Sequence, residues 1–387
     1  MRPALLSAMA AQYTRPSSHE QARLIDALRS LEGAQDVKLR IETIATQSGV
    51  PWALDERIVD VHIKFGPTYD GEFFAPTRAS FGSGYSSDLL AAAAHAASEC
   101  LERSAVDASG QRDIRPGDTY AWSEFSSKWL HLPFNPLRPH QGKVKNPDYS
   151  RSGEAYHISE PECLRAAFCE VLERDALNRG IRIPADCVEL PASAVPGFTK
   201  VHAAESFWRG AGYEFALILL PSPFNVTAVM AIVRKDGPAD FRYSFKGVGA
   251  DFHLGHAVEQ AISELGRNAF TGPALGCNDE VALRVLLLDA NVSTSIKPNL
   301  VMLSPRFKGA VDPFFGLSSL SLRDLERHQA NCGPTESLNS LKKSGNDLWL
   351  VPLLNGLDGI PGFAYKVIIP GLPQNCHLFP DWKQALK

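Results

Sequence analysis

Several common signatures are missing from this 387-residue chain. Its seven cysteines, at 100, 163, 169, 187, 277, 332 and 376, include no C-x-x-C and no paired spacing. An odd, scattered set reads as reduced, buried thiols in a cytoplasm, not as a disulfide framework. G-x-x-x-x-G-K-[ST] is absent, which excludes a P-loop, and G-x-S-x-G is absent, which excludes a nucleophile elbow. No stretch is long and apolar enough to span a membrane. The most apolar one, 215–233, is broken by Pro221, Ser222, Pro223 and Asn225 into two strands and a turn. The short apolar run at 4–11 reads as the first turns of a helix, not as a signal segment. Neither charge sign is in excess: 39 Lys+Arg face 43 Asp+Glu, a net charge of -4. That balance excludes nucleic acid as the main ligand while leaving room for a basic pocket around one nucleotide.

What is present is ordinary globular composition, 44% hydrophobic and 21% charged, in a chain long enough for a sizeable core. At roughly 100–200 residues per domain it holds two or three domains, or one large fold. Helical spacing marks 18–32, and alternation marks a strand at 58–65. A Gly/Ser-rich connector at 79–88 leads, with Ser87 or Asp88 as N-cap, into an Ala-rich helix to about 104. Residues 130–152 read as an exposed loop with a boundary near 150. Ser159 and Glu162 then form a capping box for a helix to about 178. A strand pair at 214–220 and 226–233 follows, then a glycine-punctuated connector at 246–250, a helix at 255–269, and closing strands at 348–353 and 364–369. The fold class is α+β, with mixed sheets and long helices.

The informative feature is a weak internal repeat. One helix ends in Glu99, Glu102 and Arg103; a second carries Glu170, Glu173 and Arg174; a third carries Glu264 and Arg267. Acids three apart share one side of a helix. Small or apolar residues precede each acid, so the acids lie near faces that pack inward. One such pair alone is usually a solvated face, but two pairs and a third Glu-bearing helix are harder to dismiss. Carboxylates forced together repel by about 4 kcal/mol per close pair at an effective dielectric near 20. Hard divalent ions relieve that repulsion, and Mg²⁺ typically arrives with substrate phosphates. Arginines beside the acids would serve phosphate oxygens or hold the carboxylates. His253 and His256, three apart, are a weaker metal candidate without a second cluster. His95 reads as a packing residue, and Phe207, Trp208 and Tyr213 read as core rather than as a groove.

The segment SGEAYHISEPECLRAAFCEVLERDA (152–176) resembles the YcaO-domain pattern of an asparagine- and glycine-bearing lead-in followed by A-x-x-E-x-x-E-R-D. SFGSGYSSDLLAAAAHAASECLER (80–103), GVGADFHLGHAVEQAISELGRN (247–268) and NGLDGIPGFAYKVIIPGL (355–372) are similar to that family's other segments, in the family's order. The resemblance implies a YcaO-like catalytic domain over 80–387, preceded by a helix and strand region, 1–79, that belongs to the same fold or docks a partner. It further implies an ATP- and Mg²⁺-dependent cytoplasmic bacterial enzyme acting on backbone amides of a ribosomal precursor peptide. A Cys, Ser or Thr side chain of the peptide attacks the preceding carbonyl. ATP phosphorylates the oxygen, and phosphate leaves to give a thiazoline or oxazoline, as in azole antibiotic biosynthesis.

Carried over by position, the resemblance assigns Glu99, Glu170, Glu173 and Glu264 to Mg²⁺. It assigns Glu102, Arg174, Ser152, Gln260 and Arg267 to nucleotide contacts; no catalytic side chain is assigned. The chain departs from the pattern where asparagines fall at Ser152 and Ile158, where a lysine falls at Ser83, and where an arginine falls at Gln260. Arg267, one turn beyond Glu264, is placed to compensate. A proline-rich terminus is missing, so the likeness is to a divergent, stand-alone subunit of microcin-type azole peptide synthetases. With only about 80 residues before the first motif, a separate activating-enzyme-like subunit is expected to bind the leader. A flavin-dependent dehydrogenase is expected to oxidise the ring. Thioamide or amidine formation by the same amide activation stays open, as does a non-catalytic scaffold.

Overall fold

The computed structural model describes residues 17–31, 37–44, 57–65, 79–86, 88–111, 119–132, 140–141, 144–145, 152–195, 199–236, 242–274, 280–288, 311–353 and 360–372. The expectations for 4–11, for a boundary near 150 and for the turn at 355–359 lie outside these residues. In chain order the elements are α1 (Ser18–Leu31), β1 (Val37–Ile44), β2 (Arg57–Phe65), β3 (Ala79–Ser86), α2 (Leu89–Gln111), β4 (Thr119–Ser123) and β5 (Lys128–Leu132). Then come β6 (His140–Gln141), β7 (Val144–Lys145), β8 (Glu154–His157), α3 (Glu160–Arg182), β9 (Val188–Glu189), α4 (Thr199–Gly210), β10 (Glu214–Leu219), β11 (Thr227–Asp236) and β12 (Arg242–Asp251). The chain continues through α5 (Leu254–Ala274), α6 (Glu280–Leu288), α7 (Leu322–Asn331), α8 (Pro334–Lys343), β13 (Trp349–Pro352) and β14 (Phe363–Ile368). The class is α+β.

The chain divides into two compact units. The first takes the described residues through Val171 and again from Leu341; the second takes Leu172–Ser340. In the first, β1-β2-β3 form an antiparallel sheet, and β5-β4-β13-β14-β8 form another. The β2–β3 pairing joins residues on both sides of position 79 into one sheet. Leu24, Ile25 and Leu28 on one face of α1 are buried with Ala92, Ala96, Ala97, Cys100 and Leu101 of α2 in a common core. In the second unit, β12-β11-β10-β9 form an antiparallel sheet against which α5 packs.

For two of the three Glu-bearing helices, α2 and α5, the sequence repeat is also a structural one. The order helix, three antiparallel strands, helix occurs as α1-β1-β2-β3-α2 in the first unit and as α4-β10-β11-β12-α5 in the second. The two connectors expected at 79–88 and 246–250 are therefore corrected to strands, β3 and β12. Their glycines do not make turns; they admit a helix. A Cβ on Gly82 or Gly84 would run into the backbone of Ala96 and Cys100 or of Ala92 and Ala96. A Cβ on Gly247 or Gly249 would run into the backbone of Ala261 and Leu265 or of Ala257 and Ala261. Both strands thus meet their helix with G-x-G against the backbone of residues spaced four apart, all of them small except Leu265, an approach that any side chain on the strand would block.

Helix ends agree with expectation at Asp88 and differ at Ser159. Ser17 and Glu20 form a reciprocal capping box on α1: Ser17 N–H donates to Glu20 Oε2 (2.8 Å), and Glu20 N–H donates to Ser17 Oγ (3.3 Å). At α3, by contrast, Ser159 N–H donates to Nδ1 of His157 at 2.9 Å. At α2, Asp88 Oδ1 accepts the N–H of Leu90, so Asp88 is the cap.

Candidate functional site

Four carboxylates gather in the first unit. Glu99 and Glu102 come from α2, whose opposite face is buried through its alanines, and Glu170 comes from α3. Glu154 on β8 is the fourth and is itself buried. Glu170 Oε2 accepts the N–H of Gly153 at 2.9 Å, which pins α3 to the turn before β8. Arg103 donates to Glu99 at 2.6 Å, one helical turn away. Burial first, and then the charges of Glu170, Glu154 and Glu99, hold the Glu102 carboxyl well above the ordinary carboxylate range, with Arg103 opposing. Burial and like charge thus both favour the protonated acid at this position.

Lys366 on β14 lies in the same unit. Its ammonium, fully buried, donates to Glu154 at 2.8 Å and to the carbonyl of Ser152 at 3.3 Å. Neither Glu154 nor Lys366 was among the residues singled out from the sequence. The available signal was a lone lysine in an apolar strand, between Tyr365 and Val367, facing a lone acid in E-A-Y-H.

The second unit holds a different arrangement. Glu173, buried, pairs with Arg174 at 3.0 Å. Burial pushes the Glu264 carboxyl up, but Lys246, Arg174 and Arg267 together with the Val248 N–H outweigh it, and Glu264 ends below the ordinary range. Its Oε2 accepts that N–H at 2.6 Å, and Asn268 Nδ2 reaches both Glu264 Oε1 (3.4 Å) and the carbonyl of Lys246 (2.8 Å). The first unit therefore brings Glu99, Glu102 and Glu170 together as an acidic cluster, while the second sets Glu264 among cations. Lys246, buried on β12, is the further cation that sequence reasoning missed.

Ser152 is buried, Ile158 is half-buried, and Gln260 is exposed on α5. His95 is exposed rather than packed, because its position on α2 falls opposite the alanine face. Trp208 is buried edge-on to Phe207 and Tyr213, as core. His253 and His256 stack edge to face, with His256 Nδ1 3.6 Å from Asp251. The five described cysteines are free thiols. Among the described residues no three His, Cys, Asp or Glu stand in ready ligand geometry, and no helix is long and apolar enough to cross a membrane.

A family model described as YcaO cyclodehydratase, ATP- and Mg²⁺-binding, matches residues 119–373. The chain belongs to the YcaO family. The matched segment contains Glu170, Glu173, Arg174 and Glu264, while Glu99 and Glu102 precede it. Similar solved structures extend the likeness over the helix that carries those two acids. One is a YcaO from Methanopyrus kandleri bound with AMPPCP and Mg²⁺, 18% identical over 92% of this chain and 91% of that one, TM-score 0.63. A heterocyclase in complex with substrate and cofactor is 12% identical over 98% of this chain, TM-score 0.63, and this chain spans 57% of its length. A chain of the E. coli microcin synthetase McbBCD complex is 11% identical over 86% of this chain and 87% of that one, TM-score 0.59. At such identities the shared property is the fold. No curated protein matches the chain in sequence.

Proposed function

We propose that this YcaO chain is an ATP- and Mg²⁺-dependent cyclodehydratase subunit. It would activate backbone amides of a ribosomal precursor peptide and convert Cys, Ser or Thr to thiazoline or oxazoline. The carrying observation is the convergence of Glu99, Glu102, Glu154 and Glu170, with Arg103 against Glu99 and the buried Lys366 against Glu154. Such a donor set, all hard oxygen, fits Mg²⁺. The Mg²⁺ ligands of this reading are Glu99, Glu170, Glu173 and Glu264, and its nucleotide contacts are Glu102, Arg174, Ser152, Gln260 and Arg267. When bound, Mg²⁺ supplies charge neutralisation at phosphoryl oxygens.

An amide oxygen is a poor leaving group, and its phosphorylation removes that obstacle. Positive side chains lower the cost of charge on the phosphoryl group. Arg174, Arg267 and Lys246, gathered around Glu264, suit that task. Partners of this reading are the precursor peptide, a leader-binding activating-enzyme-like subunit and a flavin-dependent dehydrogenase, in a cytoplasmic complex. A similar chain in an E. coli microcin synthetase complex with pro-MccB17 bound is in keeping with it.

The test is co-expression with the neighbouring genes, followed by the mass of the peptide. Loss of one water per modified residue supports azoline formation. Exchange of oxygen for sulfur reassigns the product to a thioamide, and an unchanged peptide with no ATP hydrolysis by the assembled complex leaves a scaffold. In the enzymatic case, Glu170→Gln abolishes ATP hydrolysis.

A further inference from the structure

The turn that leads into β8 is tied at each of its three residues. Glu154 stands opposite Lys366 where β8 pairs with β14. Lys366 Nζ donates to Glu154 Oε1 at 2.8 Å and to the carbonyl of Ser152 at 3.3 Å. Val367, the next residue of β14, donates its N–H to the carbonyl of Gly153 at 2.7 Å. Gly153 in turn donates its own N–H to Glu170 Oε2 at 2.9 Å. One strand grips the turn, and the turn grips the acid.

We propose that Lys366 is a positioning residue for the Mg²⁺–nucleotide site, acting on Glu170 through residues 152–154. The proposal rests on the reading of Glu170 as a Mg²⁺ ligand and adds what aims that ligand. A carboxylate with one oxygen on a backbone N–H follows that N–H, so the Gly153 peptide sets the direction of Glu170. Groups that orient a metal ligand without touching the ion change metal affinity by about 10–100-fold when they are lost.

The turn needs such a hold. Gly153 lies in the left-handed region at φ 78°, and a Cβ there would run into the carbonyl of Val367 and the side chain of Val171. Only glycine fits, and glycine has the most conformational freedom to lose. Packing, by contrast, asks for no cation at 366. Ala364, Val367 and Ile368 on the same strand are buried and apolar, and a buried ammonium is costly unless its donors are satisfied. A well-packed apolar pair in place of Glu154 and Lys366 would serve stability as well. The lysine is explained by the two oxygens it bridges, at residues 152 and 154, on either side of the N–H that holds Glu170.

The experiment titrates Mg²⁺ into the full chain with AMPPCP and reads bound nucleotide, at a temperature where circular dichroism shows wild type and Lys366→Met both folded. The variant is expected to need about tenfold more Mg²⁺ for half-saturation and to reach the wild-type amount of bound AMPPCP once Mg²⁺ is saturating. A lysine that only stabilises the fold would lower the bound amount and leave the midpoint alone. An unmoved Mg²⁺ midpoint therefore overturns the proposal, whatever happens to the melting temperature, while the Mg²⁺ reading stands. A wild type that binds AMPPCP no better with Mg²⁺ than in EDTA overturns both. Should Lys366→Met not fold, hydrogen exchange at the Gly153 amide of the wild type decides, read by mass spectrometry with residue-level fragmentation. A turn preset by Lys366 protects that amide in EDTA, and Mg²⁺ with AMPPCP adds nothing. An amide that exchanges freely until those ligands are added shows a turn shaped by them, and overturns the proposal.

Discussion

Glu264 Oε2 accepts the N–H of Val248, the residue between Gly247 and Gly249, at 2.6 Å. The glycines let α5 approach β12, and the acid on that helix then fastens to the strand it has reached. Glu170 does the same to Gly153 at 2.9 Å. In each case one carboxylate oxygen is committed to the backbone, so the acid is held in place before any ligand is present. Preorganisation of this kind is what a charged site requires.

Glu264→Gln keeps the shape and removes the charge that Lys246, Arg174 and Arg267 attract. Because the folded carboxyl lies below its ordinary value of 4.5, its contribution is present above that pH and is lost as pH falls through the folded value. The variant is expected to be about 1.5–3 kcal/mol less stable near neutrality, the worth of a charged hydrogen bond. Urea midpoints in EDTA should converge below the ordinary carboxylate range. An equal gap at neutral and acid pH would show that charge plays no part.

Gly84→Ala and Gly247→Ala test the close approach of strand and helix. Neither glycine has a positive φ, so the cost is collision with helix backbone and not conformational strain. Each is expected to destabilise by about 2 kcal/mol or more, because a backbone cannot rotate away as a side chain can. Gly210→Ala, where a Cβ would meet nothing within 4 Å, is the control. Thermal unfolding of the three variants reads the result, and an unmoved midpoint for the first two removes the packing argument.

Much of this was legible in the chain, for reasons that particular residues show. The helices at Ser18–Leu31 and Leu254–Ala274 and the strands at Arg57–Phe65 and Glu214–Leu219 follow their apolar periods. The strands β3 and β12 were read as connectors because glycine most often marks a turn, and only the helix lying across Gly82, Gly84, Gly247 and Gly249 shows otherwise. The Glu-bearing helix ends were legible because acids after alanine runs are unusual. Glu154 and Lys366 were not, since their meaning arises from β8 pairing with β14, which places 154 opposite 366 across the sheet. Pairing between distant strands leaves no local mark.

Lys366→Met takes from the buried Glu154 carboxylate the ammonium that lies 2.8 Å away. Removing one partner of a buried pair typically costs about 3–5 kcal/mol, and here the lysine is 0% and the glutamate 3% exposed. Glu154→Leu alone takes the carboxylate from the buried ammonium and is expected to cost a similar amount. The double variant should recover most of the loss, since it buries two apolar groups in place of two charges. Chemical denaturation of all four proteins gives the coupling, and strict additivity would mean that the pair does not interact in solution.

Glu102 carries the sign opposite to Glu264. Burial and the neighbouring acids Glu170, Glu154 and Glu99 raise its folded carboxyl above 4.5, so its stabilising contribution is full below that value and is lost as pH rises through the folded one. At neutral and alkaline pH the native state must either keep the proton or bear another negative charge. Glu102→Gln, a neutral mimic of the protonated acid, is therefore expected to melt above the wild type at pH values above the ordinary range and to match it below. Mg²⁺ should raise the melting temperature of the wild type more than that of the variant, because cations relieve the repulsion that the variant lacks. It should also release protons on binding, measurable in weakly buffered solution. If Glu102→Gln in EDTA is the less stable protein at alkaline pH, the acids of the first unit are not crowded in solution, and the case for a cation among Glu99, Glu154 and Glu170 loses its physical basis.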